Sequence, residues 1–219
     1  MEACRTILVD GIAALNLSVD EQKIAQLLAF IKLIEKWNKA YNLTAIKDKQ
    51  DMVRLHLLDS LTVIPYLEGR RIIDIGTGAG LPGIPLAICF PHIAFTLLDS
   101  NAKKTRFVQQ AVLELKLANV HVCHSRVEDY QPGQHFSTIL TRAFAELSEI
   151  VESTQHLLTV NGKMLAMKGR CTDAELAQVK AKKIVIPVQV PGFEAERSLV
   201  CIQLNEENVG EKKVSEWGK

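Results

Sequence analysis

The sequence predicts an α/β fold: a Rossmann-like, seven-stranded, mostly parallel sheet with a terminal hairpin, preceded by an N-terminal helical extension. Three observations carry this. From Arg71 onward, short apolar runs alternate with helix-period segments, the pattern of strands joined by crossover helices. The first run ends in "DIGTGAGLPGIPLA" (Asp74–Ala87), with four glycines and two prolines. The last two runs are separated only by "PGFEAER", too short for a helix, so they pair as a hairpin.

The first ~65 residues read as helical. "SVDEQKIAQLLAFIKLIEKWNKAYNL" carries Ile24, Leu27, Leu28, Ile31 and Ile34 on one face. Ser18 with Glu21 three residues on reads as a capping box. Asn38, Asn42 and Thr44 mark a loop, and a second helix is predicted from about Gln50 to Tyr66, closed by Gly69. Strands are predicted at 71–75, 93–98, 120–123, 138–140, 163–167, 184–190 and 198–204. Helices are predicted near 82–90, 102–117, 147–158 and 173–182. This divides the chain into a helical segment (1–68) packed on a sheet domain (69–205), and a polar, poorly ordered tail (206–219). Seven strands ending in a hairpin is the outline of a class I methyltransferase sheet; a plain dinucleotide fold more often ends in parallel strands.

Composition narrows the function. The 219 residues are 47% hydrophobic and 23% charged, with mean hydropathy +0.08 and net charge +1. That is ordinary globular composition, without a whole-protein electrostatic case for nucleic-acid binding. Between Lys32 and Arg54, six basic residues face three acidic ones, a pattern that more often marks a solvated helix face than a binding patch. No apolar run approaches the ~20 residues of a membrane span, and Glu2 and Asp10 argue against a secretory signal. Five scattered cysteines without a Cys-x-x-Cys pair suit the reducing cytoplasm and argue against a disulfide framework or a zinc site. His121, Cys123 and His124 share a strand whose alternation splits them between faces, so metal ligation is not expected.

The glycine loop points to a nucleotide-like cofactor. Gly76, Gly78 and Gly80 permit a sharp turn and close approach of a ligand, with the amides of the following helix aimed at the loop. "GAGLPG" also satisfies G-x-G-x-x-G, a weak signal alone. Asp74 before the loop favours S-adenosylmethionine over NAD: a carboxylate there organises the loop or meets the cationic end of a methionine moiety, whereas it would repel a pyrophosphate. Asp99, at the end of "AFTLLD", is placed to accept ribose hydroxyls. Val127 and Glu128 in "SRVEDY" fall where an adenine would lie, although an isolated Val-Glu is more often a surface turn. Arg142 in "TRAFAEL" sits at the sheet edge, where either a carboxylate or phosphate ligand or a salt bridge would engage its planar fork. There is no Asn/Asp-Pro-Pro-aromatic loop for methylating exocyclic amines, and no Pro-Cys for a thiolate route.

Seven segments then occur in one family's order: "EKWNKAYNLTAI", "HLLDSL", "IDIGTGAGLPGIPLA", "LLDSNAKKTRF", "SRVEDY", "RAFA" and "MKG". From about residue 20 to 204 the chain resembles the RsmG family (glucose-inhibited division protein B), bacterial methyltransferases of guanine N7 in 16S ribosomal RNA. The resemblance implies S-adenosylmethionine as cofactor and Gly76, Leu81, Val127, Glu128 and Arg142 as its contacts, beside Asp74, Gly78 and Asp99. It implies that Lys36, Asn38, Asn42, His56, Asp59 and Lys168 line the RNA-facing side. Lys103 and Arg106 join them as backbone-holding candidates, and Arg142 and Lys168 are candidates for positioning the reacting groups, with no certain catalytic residue. One departure stands out: many relatives carry a basic residue directly before the motif histidine, where this chain has Leu55. The implied partner is 16S RNA, within the small ribosomal subunit or an assembly intermediate, and a cytoplasmic monomer is expected. Two rival readings are an NAD-dependent oxidoreductase using "GAGLPG" and a non-catalytic ribosome-assembly factor.

Overall fold

The computed structural model describes residues 1–142 and 146–203. The expected polar tail and the "AFA" of "RAFA" lie outside the described residues. Helices α1 (Glu2–Ala14) and α2 (Glu21–Tyr41) lead into a broken helical stretch of α3 (Lys49–Met52), a π-helical segment Val53–Leu58, α4 (Asp59–Leu61) and a 3₁₀ turn Ile64–Tyr66. The alternating part follows: β1 (Arg71–Ile75), α5 (Gly83–Cys89), β2 (Ala94–Asp99), α6 (Ala102–Glu114), β3 (Val120–His124) and β4 (Phe136–Arg142). It closes with α7 (Leu147–Thr154), β5 (Leu158–Lys168), α8 (Asp173–Gln178), β6 (Lys182–Pro187) and β7 (Ser198–Gln203).

The seven strands form one sheet in the order β3-β2-β1-β4-β5-β7-β6. The first five run parallel; β7 is antiparallel to both β5 and β6, giving the expected hairpin. Successive strands step outward from β1 to β3, and then the chain returns to the other side of β1 as β4. The switch point therefore lies between β1 and β4, where open α/β sheets leave a crevice at the carboxyl ends of their strands.

Both faces of the central strands are buried. Ile73, Ile139, Met164 and Val200 pack with Leu147, Ile150 and Leu157. On the other face Ile72, Phe95, Leu97 and Leu140 share one apolar cluster with α5, α6 and the N-terminal helices. Phe30 of α2 stacks on Phe107 of α6 with ring centroids 6.3 Å apart, and Trp37 tilts against the same ring at 6.0 Å. Gly11 lets α1 lie directly on the π-helical segment: a Cβ there would meet Leu58 Cδ1 at 2.3 Å.

Three local expectations are corrected. Asp20, not Ser18, caps α2: its carboxylate accepts from the Lys23 N–H at 2.9 Å, and Lys23 Nζ adds an ion pair at 3.0 Å. Asn38 remains helical, and α2 ends at Asn42, which adopts the left-handed conformation (φ 50°). The Asn38 side chain instead clamps the loop ahead, giving Nδ2–H to the Thr44 carbonyl (3.0 Å) and accepting the Thr44 N–H (2.9 Å). The helix expected over 50–66 is split, because Val53–Leu58 takes the wider i→i+5 turn; the Asp59 N–H bonds to the Arg54 carbonyl.

Candidate functional site

The glycine loop leaves β1 with Gly76, Gly78 and Gly80 at φ 67°, 59° and 81°. All three occupy the left-handed region that a side chain disfavours. The N–H groups of Gly76 and Thr77 both reach the Leu98 carbonyl, tying the loop to the end of β2. Beneath it Asp74 is fully buried. Its Oδ2 accepts from Thr77 Oγ1 (2.6 Å) and the Gly83 N–H (2.9 Å), while Oδ1 is buried without a partner. Desolvation pushes its pKa up to about 7, against the pull of the Thr77 and Gly83 hydrogen bonds and of Arg142. Of the two roles expected for Asp74, the structure displays loop organisation. It also corrects the expectation that the next helix aims its amides at a ligand: the Gly83 N–H goes to Asp74, and the Ile84 N–H to the Gly80 carbonyl. Gly83 is required here, since a Cβ would lie 2.1 Å from Leu97 Cδ2.

Asp99 supports the loop from the next strand. Its Oδ2 accepts the Gly78 N–H and its Oδ1 the Asn101 N–H, both at 2.8 Å. Asn101 in turn caps α6 through Oδ1, which accepts from Lys103 N (2.9 Å) and Lys104 N (3.3 Å). Around Asp99 opens a cavity of about 490 Å³, which brings Gly76, Asp99, Val127 and Glu128 together as expected, with Lys104, Ser125 and Arg126. Val127 is buried and Glu128 exposed, an apolar wall beside a polar rim. A Cβ on Gly78 would meet only the Gly76 carbonyl oxygen at 3.8 Å, so the loop presents bare backbone to open space. A buried carboxylate with unused lone pairs, a bare glycine backbone and an apolar wall fit an adenosine. Leu81 is not among the residues lining it; it is 3% exposed and packs in the core.

A second cavity, about 350 Å³, opens on the other side of the β1/β4 switch point. Arg142 ends β4, Met167 and Lys168 end β5 with Gly169 just beyond, and Ser198 and Leu199 begin the antiparallel β7, so all lie at one edge of the sheet. The opposite wall is His56, Asp59 and neighbours of the broken helix. Arg142 Nη1 donates to the Leu55 carbonyl (3.1 Å) in the π-helical segment, and to Asp59 Oδ2 (3.3 Å). Arg197, from the β6–β7 loop, pairs with Asp59 Oδ1 at 3.4 Å and stacks over Phe193 at 4.8 Å. Burial raises the Asp59 pKa although both guanidinium groups oppose it.

His56 is 3% exposed, with Nε2 3.1 Å from Thr44 Oγ1. Burial and Arg142 push its pKa down to about 4, so it is neutral at pH 7. It lines the second cavity as a neutral group bonded to Thr44, and Asn38 likewise acts through Thr44. Lys168 lines the cavity and is ion-paired with Glu175 of α8. Asp59 and Lys168 thus share a cavity with Arg142, while Arg142, expected among the cofactor contacts, is absent from the lining of the Asp99 cavity. Lys36 and Asn42 are exposed around the end of α2, and Lys103 and Arg106 on α6. Sequence reading missed Arg197, Thr44 and the Leu55 carbonyl; only the arginine in "PGFEAER" offered a signal. Among the described residues no group of His, Cys, Asp and Glu could hold a metal ion, and no helix is long and apolar enough to cross a membrane.

Comparison with known proteins adds independent findings. Residues 23–200 match the family model described as rRNA small subunit methyltransferase G. The chain is 50% identical over 200 residues to ribosomal RNA small subunit methyltransferase G of Nitrosococcus oceani, covering 90% of this chain and 94% of that one. It is 48% identical over 198 residues to the protein of that name in Coxiella burnetii, covering 90% and 97%. Among solved structures, a SAM-dependent methyltransferase from Aquifex aeolicus superposes with a TM-score of 0.56 at 16% identity, over 80% of this chain and 97% of that one. The N-methyltransferase NodS of Bradyrhizobium japonicum WM9, in complex with S-adenosyl-L-homocysteine, gives 0.55 at 12%, over 78% and 97%. These two likenesses establish the class I methyltransferase fold.

Proposed function

This chain belongs to the rRNA small subunit methyltransferase G family, and from that premise we propose that it transfers a methyl group from S-adenosylmethionine to N7 of one guanine in 16S ribosomal RNA. The observation that carries the reading is the pair of cavities flanking the β1/β4 switch point, one around Asp99 and one around Asp59 and Arg142.

S-adenosylmethionine, when bound, supplies an electrophilic sulfonium methyl. Asp99 would hold the ribose hydroxyls, Val127 and Glu128 the adenine, and the Gly76–Gly78 backbone the path between. What supports this assignment is the open backbone at Gly78 and the two lone pairs Asp99 keeps beyond its N–H partners. On the other side, Arg142 and Lys168 would position the target. Guanine N7 carries a lone pair and no proton, so the residues here need to align and to exclude water, without a general base. His56, whose pKa burial pushes down to about 4, is a weak base and agrees with that.

The helical segment 1–68 and the sheet part 69–205 work as a base-side wall and a cofactor-side platform. Lys36, Asn42, Lys103 and Arg106 are exposed cations and polar groups suited to phosphate contacts. The protein acts as a cytoplasmic monomer on the small subunit or its assembly intermediate, where ribosomal proteins supplement its small net charge.

The test uses small-subunit particles from cells lacking the protein, labelled S-adenosylmethionine, and chemical cleavage at 7-methylguanosine. One new cleavage in 16S RNA is expected. No incorporation on particles or on naked RNA overturns the reading in favour of an assembly factor.

A further inference from the structure

We propose that Asp59 is the residue that selects guanine, by accepting the N1–H and N2–H donors of a target base lodged in the cavity between Arg142 and Arg197. The inference rests on the function proposed above and names how that site recognises its substrate.

The cavity has the right make-up for a planar base taken out of its stack. Met167, Leu199 and Val188 supply apolar wall, and about 350 Å³ lies within the range of small-molecule pockets. Two of its cationic side chains, Arg142 and Arg197, converge on Asp59, which is 4% exposed. Both its ion pairs are loose: 3.3 Å to Arg142 and 3.4 Å to Arg197, against ~2.7–2.9 Å for a well-made charge-assisted bond. An ionised carboxylate has about four acceptor sites, and among the described residues these two guanidinium groups are its only ion-pair partners. The group is held in place without being saturated.

Base chemistry then decides which ligand completes it. Guanine alone presents two adjacent donors, N1–H and N2–H, which match the two oxygens of a carboxylate, with O6 beside them for a guanidinium. Adenine and cytosine would set a ring-nitrogen lone pair against Asp59, and uracil offers one donor between two acceptors. With the N1–N2 edge on Asp59, N7 lies on the opposite side of the purine, away from the carboxylate.

The arrangement also favours the reaction over mere binding. The N7 lone pair forms the new N–C bond while the S–C bond breaks toward sulfur, so the positive charge passes from sulfur to the purine and no proton moves. N1–H becomes a stronger donor as that charge develops. The bond to Asp59 therefore tightens in the transition state and offsets the two nearby guanidinium charges.

The experiment compares particles reconstituted with guanine or with inosine, which lacks the N2 amino group, at the mapped position. Rates are normalised to the dimethyl sulfate reactivity of each N7. The wild-type protein is expected to lose about tenfold or more in kcat/KM on inosine, the size of one lost base-edge contact. Asp59→Asn, which presents a donor where an acceptor is needed, should lower guanine methylation about 100-fold. It should also bring the guanine-to-inosine ratio within about threefold of one, with S-adenosylmethionine affinity unchanged by calorimetry. Equal wild-type rates on the two particles overturn the proposal, and this arm decides even if the variant does not fold. A loss in Asp59→Asn that guanine and inosine share equally also overturns it, marking Asp59 as an anchor for two arginines. Absence of 7-methylguanosine on natural particles is a different outcome and strikes the proposed function itself.

Discussion

Two buried carboxylates face the same edge of the sheet, and they are held in opposite ways. Asp99 is fixed by backbone: the N–H groups of Gly78 and Asn101, each at 2.8 Å. Asp59 is fixed by side chains, at 3.3 and 3.4 Å, from a strand end 83 residues on and from a hairpin loop farther still. Backbone donors follow the local path of the chain, so the Asp99 assembly is rigid and written in contiguous residues. Side-chain donors arrive only once the whole fold has closed, so the Asp59 assembly is looser. A rigid cradle suits a cofactor that is the same at every turnover; a looser one suits a base that must enter from a folded RNA.

If that contrast holds, the largest single effect belongs to Asp99→Ala. It removes the acceptor of two backbone donors, each charge-assisted bond being worth ~1.5–3 kcal/mol. S-adenosylmethionine affinity should fall by about 100-fold or more by titration calorimetry, while binding of small-subunit particles stays unchanged. A fall of less than about threefold would break the comparison at its stronger end.

Next in size is Arg142→Ala. The guanidinium bridges the Leu55 carbonyl and Asp59 and takes no part in lining the Asp99 cavity. Methyl transfer is expected to drop about 30-fold, equivalent to ~2 kcal/mol, with cofactor affinity within about threefold of wild type. Parallel losses in turnover and affinity would mean that the two sites are one functional unit.

The same contrast separates what the sequence reveals from what it hides. All seven strands, the terminal hairpin, the glycine loop and Asp99 are legible, because alternation, glycine spacing and a carboxylate at a strand end are local signals. The helix over 50–66 is legible only in outline. Val53, Leu57, Leu61 and Ile64 keep an ordinary helical spacing, and nothing in "VRLHLL" signals the wider turn of Val53–Leu58 that presents the Leu55 carbonyl to Arg142. Arg197 shows in the sequence only as a charge in "PGFEAER", and its pairing does not, since its partner lies in another part of the fold. Leu81 sits in the motif, and its side chain belongs to the core.

Protonation offers a subtler way to sharpen the comparison. Burial raises Asp74 to about 7, above its ordinary 3.8, so the folded state holds the extra proton and stability falls as pH rises from ~4 to ~7. Burial lowers His56 to about 4 from 6.5, so the unfolded state holds the extra proton and stability rises over ~4 to ~6.5. The two slopes oppose each other, with Asp59 adding to the sign of Asp74. Denaturant titrations across this window should therefore give a shallow profile for the wild type. Asp74→Asn should tilt it upward with pH, and His56→Gln downward, each by up to ~1 kcal/mol per pH unit. Unchanged profiles in both variants would show that neither group is held away from its ordinary protonation.

The smallest effect tests the claim that the Asp99 cradle is made of backbone. Asn101 contributes twice: its N–H bonds Asp99, and its side chain caps α6. Asn101→Ala deletes only the cap and leaves the N–H in place. It should cost ~1 kcal/mol, the usual worth of an N-cap, and so lower the melting temperature by about 2–4 °C in a chain of this size. Cofactor affinity should hold within about threefold, because the donor to Asp99 survives the substitution. A tenfold loss of affinity would show that the cradle depends on the Asn101 side chain after all, and the division between a backbone-built cofactor site and a side-chain-built base site would fall with it.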